Sequence, residues 1–200
     1  AYLDLESFRG RGLDAGQPWP RALHAELVQR LHRAGARAVV FDILFDQAGT
    51  NAAANQSLRE AFAAQKTVVL AGESRPDSTD AGAAGRGPMT RIVPPFDEFL
   101  AVASWGLGEV SADEDFVVRR FYRGSGRGDD FTPSLTTAVG RALGLADATD
   151  RGEARLERWL NYYGPPFTLP HRNVDQLLRA GDVPDEELRD RVVLIGARPV

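Results

Sequence analysis

The chain has 200 residues, 43% hydrophobic and 26% charged, with a net charge of −4 and an isoelectric point near 5.4. That balance fits one globular domain of ordinary size and argues against a nucleic-acid-binding surface. Cysteine is absent, which excludes disulfides, thiolate zinc sites and a cysteine nucleophile, and no apolar run approaches the roughly 18 residues of a membrane span.

In chain order, Tyr2-Leu3-Asp4-Leu5 reads as the end of a first strand, with Asp4 near its exit. Residues 9–16 read as a loop, broken by Gly10, Gly12 and Gly16. Pro18-Trp19-Pro20-Arg21 leads into a helix with Leu23, Leu27, Leu31 and Ala34 on one face. Pro20 suits its first turn and Gly35 its end. Residues 36–46 include Val39, Val40, Phe41 and Ile43. The run is too short for a core helix and rich in β-branched and aromatic side chains, so it reads as the central buried strand. Asp42 lies inside it and Asp46 ends it, and a buried carboxylate is costly unless paired or hydrogen-bonded. A second helix over 51–65 carries Leu58, Ala61 and Phe62 at helical spacing, and a further strand over 66–71 ends at Gly72-Glu73. This strand–helix alternation predicts parallel, right-handed crossovers.

Residues 74–88 offer little to bury and read as a mobile loop. Pro94-Pro95 precedes a short helix over 96–103. Residues 105–110 and 116–121 read as a hairpin with Asp113, Glu114 and Asp115 at its tip. Pro133 and Ser134 open a helix that runs to Leu143, and residues 155–162 read as a strand. Short helices follow over 174–180 and 185–188, and Val192-Val193-Leu194-Ile195-Gly196 reads as a closing buried strand. The expected fold class is α/β, a mainly parallel sheet flanked by helices with an inserted antiparallel hairpin, in a single domain over 1–200. Ala1 is not an initiator methionine, and the chain stops just after a strand-like run, so it reads as a piece of a longer protein.

Asp4, Asp42, Asp46 and Glu73 all fall at or near strand exits, which share one rim in a parallel sheet. Converging carboxylates suit a hard divalent cation. The commoner arrangement is a cap on the following helix or a pair with arginine. Arg21, at a helix start, can reach the acidic rim or an anionic ligand, or tie helix to sheet. These five residues are the ligand-binding candidates. No catalytic or metal set is assigned and no cofactor is expected. His24 lies at the edge of the helix's apolar stripe, and His32 and His171 lack partners at metal-ligand spacing. No Gly-x-Ser-x-Gly elbow, P-loop or strand-following Gly-x-Gly-x-x-Gly is present. Gly124-Ser125-Gly126-Arg127-Gly128 reads as a flexible turn. Asn161-Tyr162-Tyr163-Gly164-Pro165-Pro166 reads as an aromatic turn that packs over the sheet edge or lines a pocket.

An ordered set of short pieces carries a resemblance. It begins with Trp19-Pro20-Arg21, His24-Ala25-Glu26-Leu27, Ala34-Gly35-Ala36, Val39-Val40-Phe41-Asp42-Ile43-Leu44-Phe45 and Val69-Leu70-Ala71. It continues with Asp113 and Asp115 before Val117-Val118-Arg119-Arg120, then Pro133-Ser134-Leu135, Asn161-Tyr162-Tyr163-Gly164 and Arg191-Val192-Val193-Leu194-Ile195-Gly196. Together these resemble the CHASE family of type two, the cyclase/histidine-kinase-associated sensory extracellular domains. The resemblance implies an extracytoplasmic sensory domain of a bacterial transmembrane receptor, without catalysis of its own. It also implies flanking transmembrane helices of the same chain and a cytoplasmic cyclase or kinase output domain. The implied partners are an unknown small-molecule or protein stimulus and those flanking helices; a homodimer is an open option, and nucleic acid is not among them. The family often carries an acidic residue just ahead of the second helix. Here Thr50, Asn51 and Asn55 occupy that stretch, which argues against a metal taken over by analogy. Two other classes stay open: a metal-dependent hydrolase using Asp4, Asp42 and Asp46, and a structural dimerisation module.

Overall fold

A computed structural model describes residues 1–14, 17–76, 90–126, 128–145, 158–165 and 167–197. Its strands are β1 (Tyr2–Leu3), β2 (Ala38–Leu44), β3 (Val68–Pro76), β4 (Thr90–Val93), β5 (Ser104–Leu107), β6 (Arg120–Phe121), β7 (Gly124–Ser125), β8 (Thr132–Pro133), β9 (Arg158–Trp159) and β10 (Val192–Ala197). Its helices are α1 (Leu5–Gly10), α2 (Arg21–Arg33), α3 (Ala52–Gln65), α4 (Asp97–Leu100), α5 (Leu135–Ala142), α6 (Val174–Leu178) and α7 (Asp185–Leu188). No helix among the described residues is long and apolar enough to cross a membrane.

The main sheet runs β1-β10-β2-β3, all parallel, with β5 parallel to the first half of β3. β4 lies antiparallel against the second half of β3. The α/β class and its mainly parallel sheet are therefore as expected, and antiparallel pairing is confined to small pieces. The closing strand enters between the first and second: Val193 faces Val39 and Ile195 faces Phe41, and across β2 Val39 faces Val68 and Phe41 faces Leu70. Branched and aromatic side chains thus form continuous rows on one face.

That face holds the larger core. Leu27, Val28 and Leu31 of α2, and Leu58, Ala61 and Phe62 of α3, cover Val39, Phe41, Val68, Leu70, Val193 and Ile195. Polar side chains begin several helices, as their backbone donors require. Asn51 Oδ1 accepts from Ala54 N at 3.0 Å, and Ser134 Oγ from Thr137 N at 3.2 Å. The opposite face is covered only in part. Leu135 and Ala138 of α5 close over Val40, Val69 and Ala71, whereas Val192 and Leu194 stay 45% and 54% exposed. Leu194 was expected in the core. It faces solvent because none of the described elements covers β10 on that side, so the strand alternates instead of being buried throughout.

Other expectations change as well. Part of the 9–16 loop is helical, since α1 extends to Gly10, and Pro20 caps α2 from outside its first turn. Residues 74–76 continue β3, whereas 77–88 lie outside the described residues. The expected hairpin of 105–110 with 116–121 does not form. Residues 104–107 join the parallel sheet beside β3, and residues 120–121 pair with 158–159 instead. A buried parallel position for Trp105, Gly106 and Leu107 covers more apolar surface than a solvated hairpin would. Within the glycine-rich turn, Gly124–Ser125 pairs with Thr132–Pro133.

Candidate functional site

The parallel strands bring their C-terminal ends to one rim, where α/β folds bind ligands. At this rim β2 departs from regular pairing. Its register with β3 jumps between Phe41 and Leu44, so Asp42 and Ile43 have no partner on β3. Such bulges re-aim side chains next to sites. Asp42 keeps its register with Gly196 of β10. The carboxylate lies between two glycines that leave it room. A Cβ on Gly108 would stand 3.2 Å from Asp42 Oδ1, and one on Gly196 would stand 3.7 Å from Asp42 Cβ. Asp42 is exposed and makes no hydrogen bond or ion pair among the described residues. Partial burial nonetheless raises its pKa above the ordinary carboxylate value. The expected buried carboxylate is thus corrected to a rim carboxylate held out by a bulge.

The other candidates are engaged. Asp4 caps α1, accepting from Ser7 N and Ser7 Oγ, each at 2.9 Å. Asp46 accepts from Arg75 Nη2 at 2.8 Å, and Glu73 pairs with Arg75 Nε. Arg75 is the guanidinium that bridges the two and offsets one of their charges. Sequence reading missed it because residue 75 fell in a presumed loop; only its distance of two residues from Glu73 on an extended backbone could have signalled the pair. Among the described residues no group of three His, Asp or Glu side chains could hold a metal ion. Asp4, Asp42 and Asp46 therefore do not form the ligand set that the hydrolase reading requires.

Arg21 supports the rim from below. Nη1 donates to Asn55 Oδ1 at 3.0 Å and Nη2 donates to the Gln47 carbonyl. The guanidinium lies 5.7 Å from the Phe45 ring centroid and 5.1 Å from that of Phe99. Burial lowers the Arg21 pKa, and the charge of Asp46 partly offsets that. Asn55 is buried and also donates from Nδ2 to the Gly49 carbonyl at 3.1 Å. Arg21 and Asn55 therefore fix the 47–51 turn that links β2 to α3. Replacing Asn55 with alanine removes an acceptor from the half-buried Arg21 guanidinium and a donor from the Gly49 carbonyl, and should lower stability by about 1–3 kcal/mol in urea unfolding. A loss under about 0.5 kcal/mol would show that the turn holds without it. The sequence signal was an asparagine among apolar residues in the first turns of a helix.

Beneath the rim, His24 is packed edge-on against Phe41 and Phe45, at ring-centroid distances of 5.6 and 5.2 Å. Its Nδ1 and the Nε1 of nearby Trp19 have no hydrogen-bond partner among the described residues. Burial, with a smaller contribution from Arg21, lowers the His24 pKa to about 3. His24 is thus a neutral part of the aromatic core. Among the described residues the rim offers one carboxylate without a partner, Asp42, next to a cluster in which Asp46 and Glu73 share the single guanidinium of Arg75. It has no nucleophile–base pair among these groups.

The family model described as CHASE2 domain matches residues 3–199. No curated protein and no solved structure matches.

Proposed function

The chain belongs to the CHASE2 domain family, whose members are sensory domains, and from that premise we propose that it is the extracytoplasmic sensor of a bacterial transmembrane receptor. In this reading it detects an external stimulus at the Asp42 rim and passes it to a cyclase or kinase output domain. The observation that carries the reading is the register of Asp42 with Gly196 on β10. A ligand held by Asp42 contacts the strand that leads out of the domain. β10 also pairs with β1, Tyr2 facing Gly196 and Leu3 facing Ala197. Adjacent strands lie about 4.8 Å apart, so a small shift between them reaches both segments that flank the domain. A ligand shifts that balance only by its differential affinity for the two arrangements.

Asp42→Asn keeps the shape and removes the charge. It should change output from the intact receptor about tenfold, the equivalent of about 1.4 kcal/mol of differential affinity. The melting temperature of the 200-residue chain should hardly move, because the carboxylate has no partner to lose. Paired measurements of output and melting test this. A large melting shift, with output falling only in step with folded protein, would make Asp42 a structural residue and remove the rim from the sensing mechanism.

A further inference from the structure

β5 is joined to β3 along one of its two edges. Just past its end, Gly108 N donates to the Gly72 carbonyl at 2.9 Å. Backbone groups alternate sides along a strand, so Ser104 and Gly106 also turn toward β3, whereas Trp105 and Leu107 turn outward. On that outer side β8 comes close, and Leu107 bridges to Ser134 in parallel. The next position in that register sets Trp105 against Thr132, where the N–H for the Trp105 carbonyl would have to come from Pro133. Proline has none, so the pairing stops and the two strands part.

The gap between them is a cleft of about 370 Å³, within the range of small-molecule sites. Ser104 and Trp105 line one side, Phe131, Thr132 and Pro133 the other, and Ala138 and Arg141 of α5 complete it. Close contacts hold these walls. A Cβ on Gly106 would stand 2.5 Å from the Ser134 carbonyl oxygen, so the start of α5 sits directly on β5. A Cβ on Gly124 would stand 2.7 Å from Phe131 Cζ, so the ring is seated on the β7–β8 pair. The Arg141 guanidinium lies 5.0 Å from the Phe131 ring centroid, where the ring attracts the cation.

The lining selects the ligand. It contains one ionisable side chain, Arg141, and no carboxylate. Arg141 engages another group as well, but a guanidinium has five donors and can serve two acceptors. The hydroxyls of Ser104 and Thr132 and the outward N–H of Trp105 are further donors. Phe131, Pro133 and Ala138 supply apolar surface. One cation among neutral donors suits a monoanion, and the planar fork of arginine suits a carboxylate. The apolar wall suits a hydrocarbon or aromatic body.

We propose that the cleft between β5 and β8 binds a small organic carboxylate with an apolar body. The carboxylate is held by Arg141, and the body lies against Phe131 and Pro133. The site is separate from the Asp42 rim, since Ser104 precedes Gly108 by four residues of extended backbone, about 13 Å. It does not depend on any ligand there.

The test is isothermal titration calorimetry of the 200-residue chain with benzoate, phenylacetate and indole-3-acetate, beside indole-3-acetamide and inorganic phosphate. At least one carboxylate should bind saturably at a single site with a Kd of about 0.1 mM, and the amide at least about tenfold more weakly. Arg141→Gln should weaken the carboxylate about tenfold or more. Ser104→Phe, at an exposed position, fills the cleft and should abolish binding. Asp42→Asn should bind like the wild type. Thermal melts confirm that each variant is folded. No saturable binding of any of the three carboxylates up to about 5 mM would overturn the proposal. So would an amide that binds as tightly as its acid, or phosphate that binds more tightly than the carboxylates. A folded Ser104→Phe variant that binds unchanged, or a loss of binding in Asp42→Asn, would overturn it as well.

Discussion

Acidification from pH 6.5 to pH 3 should cost the folded chain on the order of 4–5 kcal/mol through His24 alone. The ordinary imidazole pKa of 6.5 applies to the unfolded chain, and the folded chain holds it at about 3. Between those values the unfolded state binds a proton that the folded state refuses. Stability is therefore full above pH 6.5 and falls as the pH drops. The cause is physical: an imidazolium among Trp19, Phe41 and Phe45 would lose its hydration and gain no acceptor, and it would face the Arg21 charge. The fall between pH 6.5 and about 5 is diagnostic, because unfolded carboxylates titrate lower, near 4. Asp42 has the opposite sign, since its raised pKa favours the folded state as the pH falls through it. Asp113 and Asp115, whose pKa values are lowered by their arginines, add to the loss only below the ordinary carboxylate range. The measurement is urea unfolding at a series of pH values for the wild type and for His24→Leu. The variant's profile should be nearly flat from pH 6.5 to 5. Parallel profiles for the two proteins would show that His24 accepts a proton without unfolding.

Truncating Phe41 to alanine should cost about 3–5 kcal/mol, enough to unfold a marginal domain at ambient temperature. Phe41 is fully buried on the central strand. Its ring lies 5.3 Å from Phe45 and 5.7 Å from Phe62, as well as against His24. Phe62 continues the stack to Phe99 at 5.3 Å. The variant loses the transfer energy of the ring and the edge-to-face contacts, and it leaves a cavity between α2, α3 and the sheet. Leu44→Ala, at a 40% exposed position on the same strand, should cost far less. Equal losses from the two variants would mean that the aromatic cluster is not the centre of the fold. Phe41 also precedes Asp42, so a milder variant, Phe41→Leu, should disturb the rim before it unfolds the chain.

Much of the architecture was legible in the residues. Short β-branched runs at 39–41, 68–70 and 192–195, each near a helical pattern, specify a parallel α/β layer, because each run must bury at least one face against a helix. Asn51 and Ser134 announced the starts of α3 and α5 by the same local chemistry that they perform in the structure. The ordered motifs were enough for the family, whose model matches residues 3–199. The candidate site was only partly legible. Asp4 and Asp46 follow β1 and β2, whereas Asp42 lies within β2 and Glu73 within β3; Asp4 and Glu73 find their partners nearby, at Ser7 and Arg75, but the states of Asp42 and Asp46 depend on neighbours far away in the chain. Arg75 reaches Asp46 across 29 positions, and Gly108, just past β5, and Gly196, on β10, make room for Asp42.

The alternation in β10 and the choice of partner for residues 120–121 belong to the same class. An apolar side chain such as Leu194 states a preference for burial but cannot state whether a helix will be there to cover it. An extended segment carries hydrogen-bonding edges that fit any strand brought beside them. Local sequence therefore determined what each element is and which face is apolar. Only the packing of distant elements decided which faces were closed, which strands met, and which one of the rim carboxylates was left without a partner.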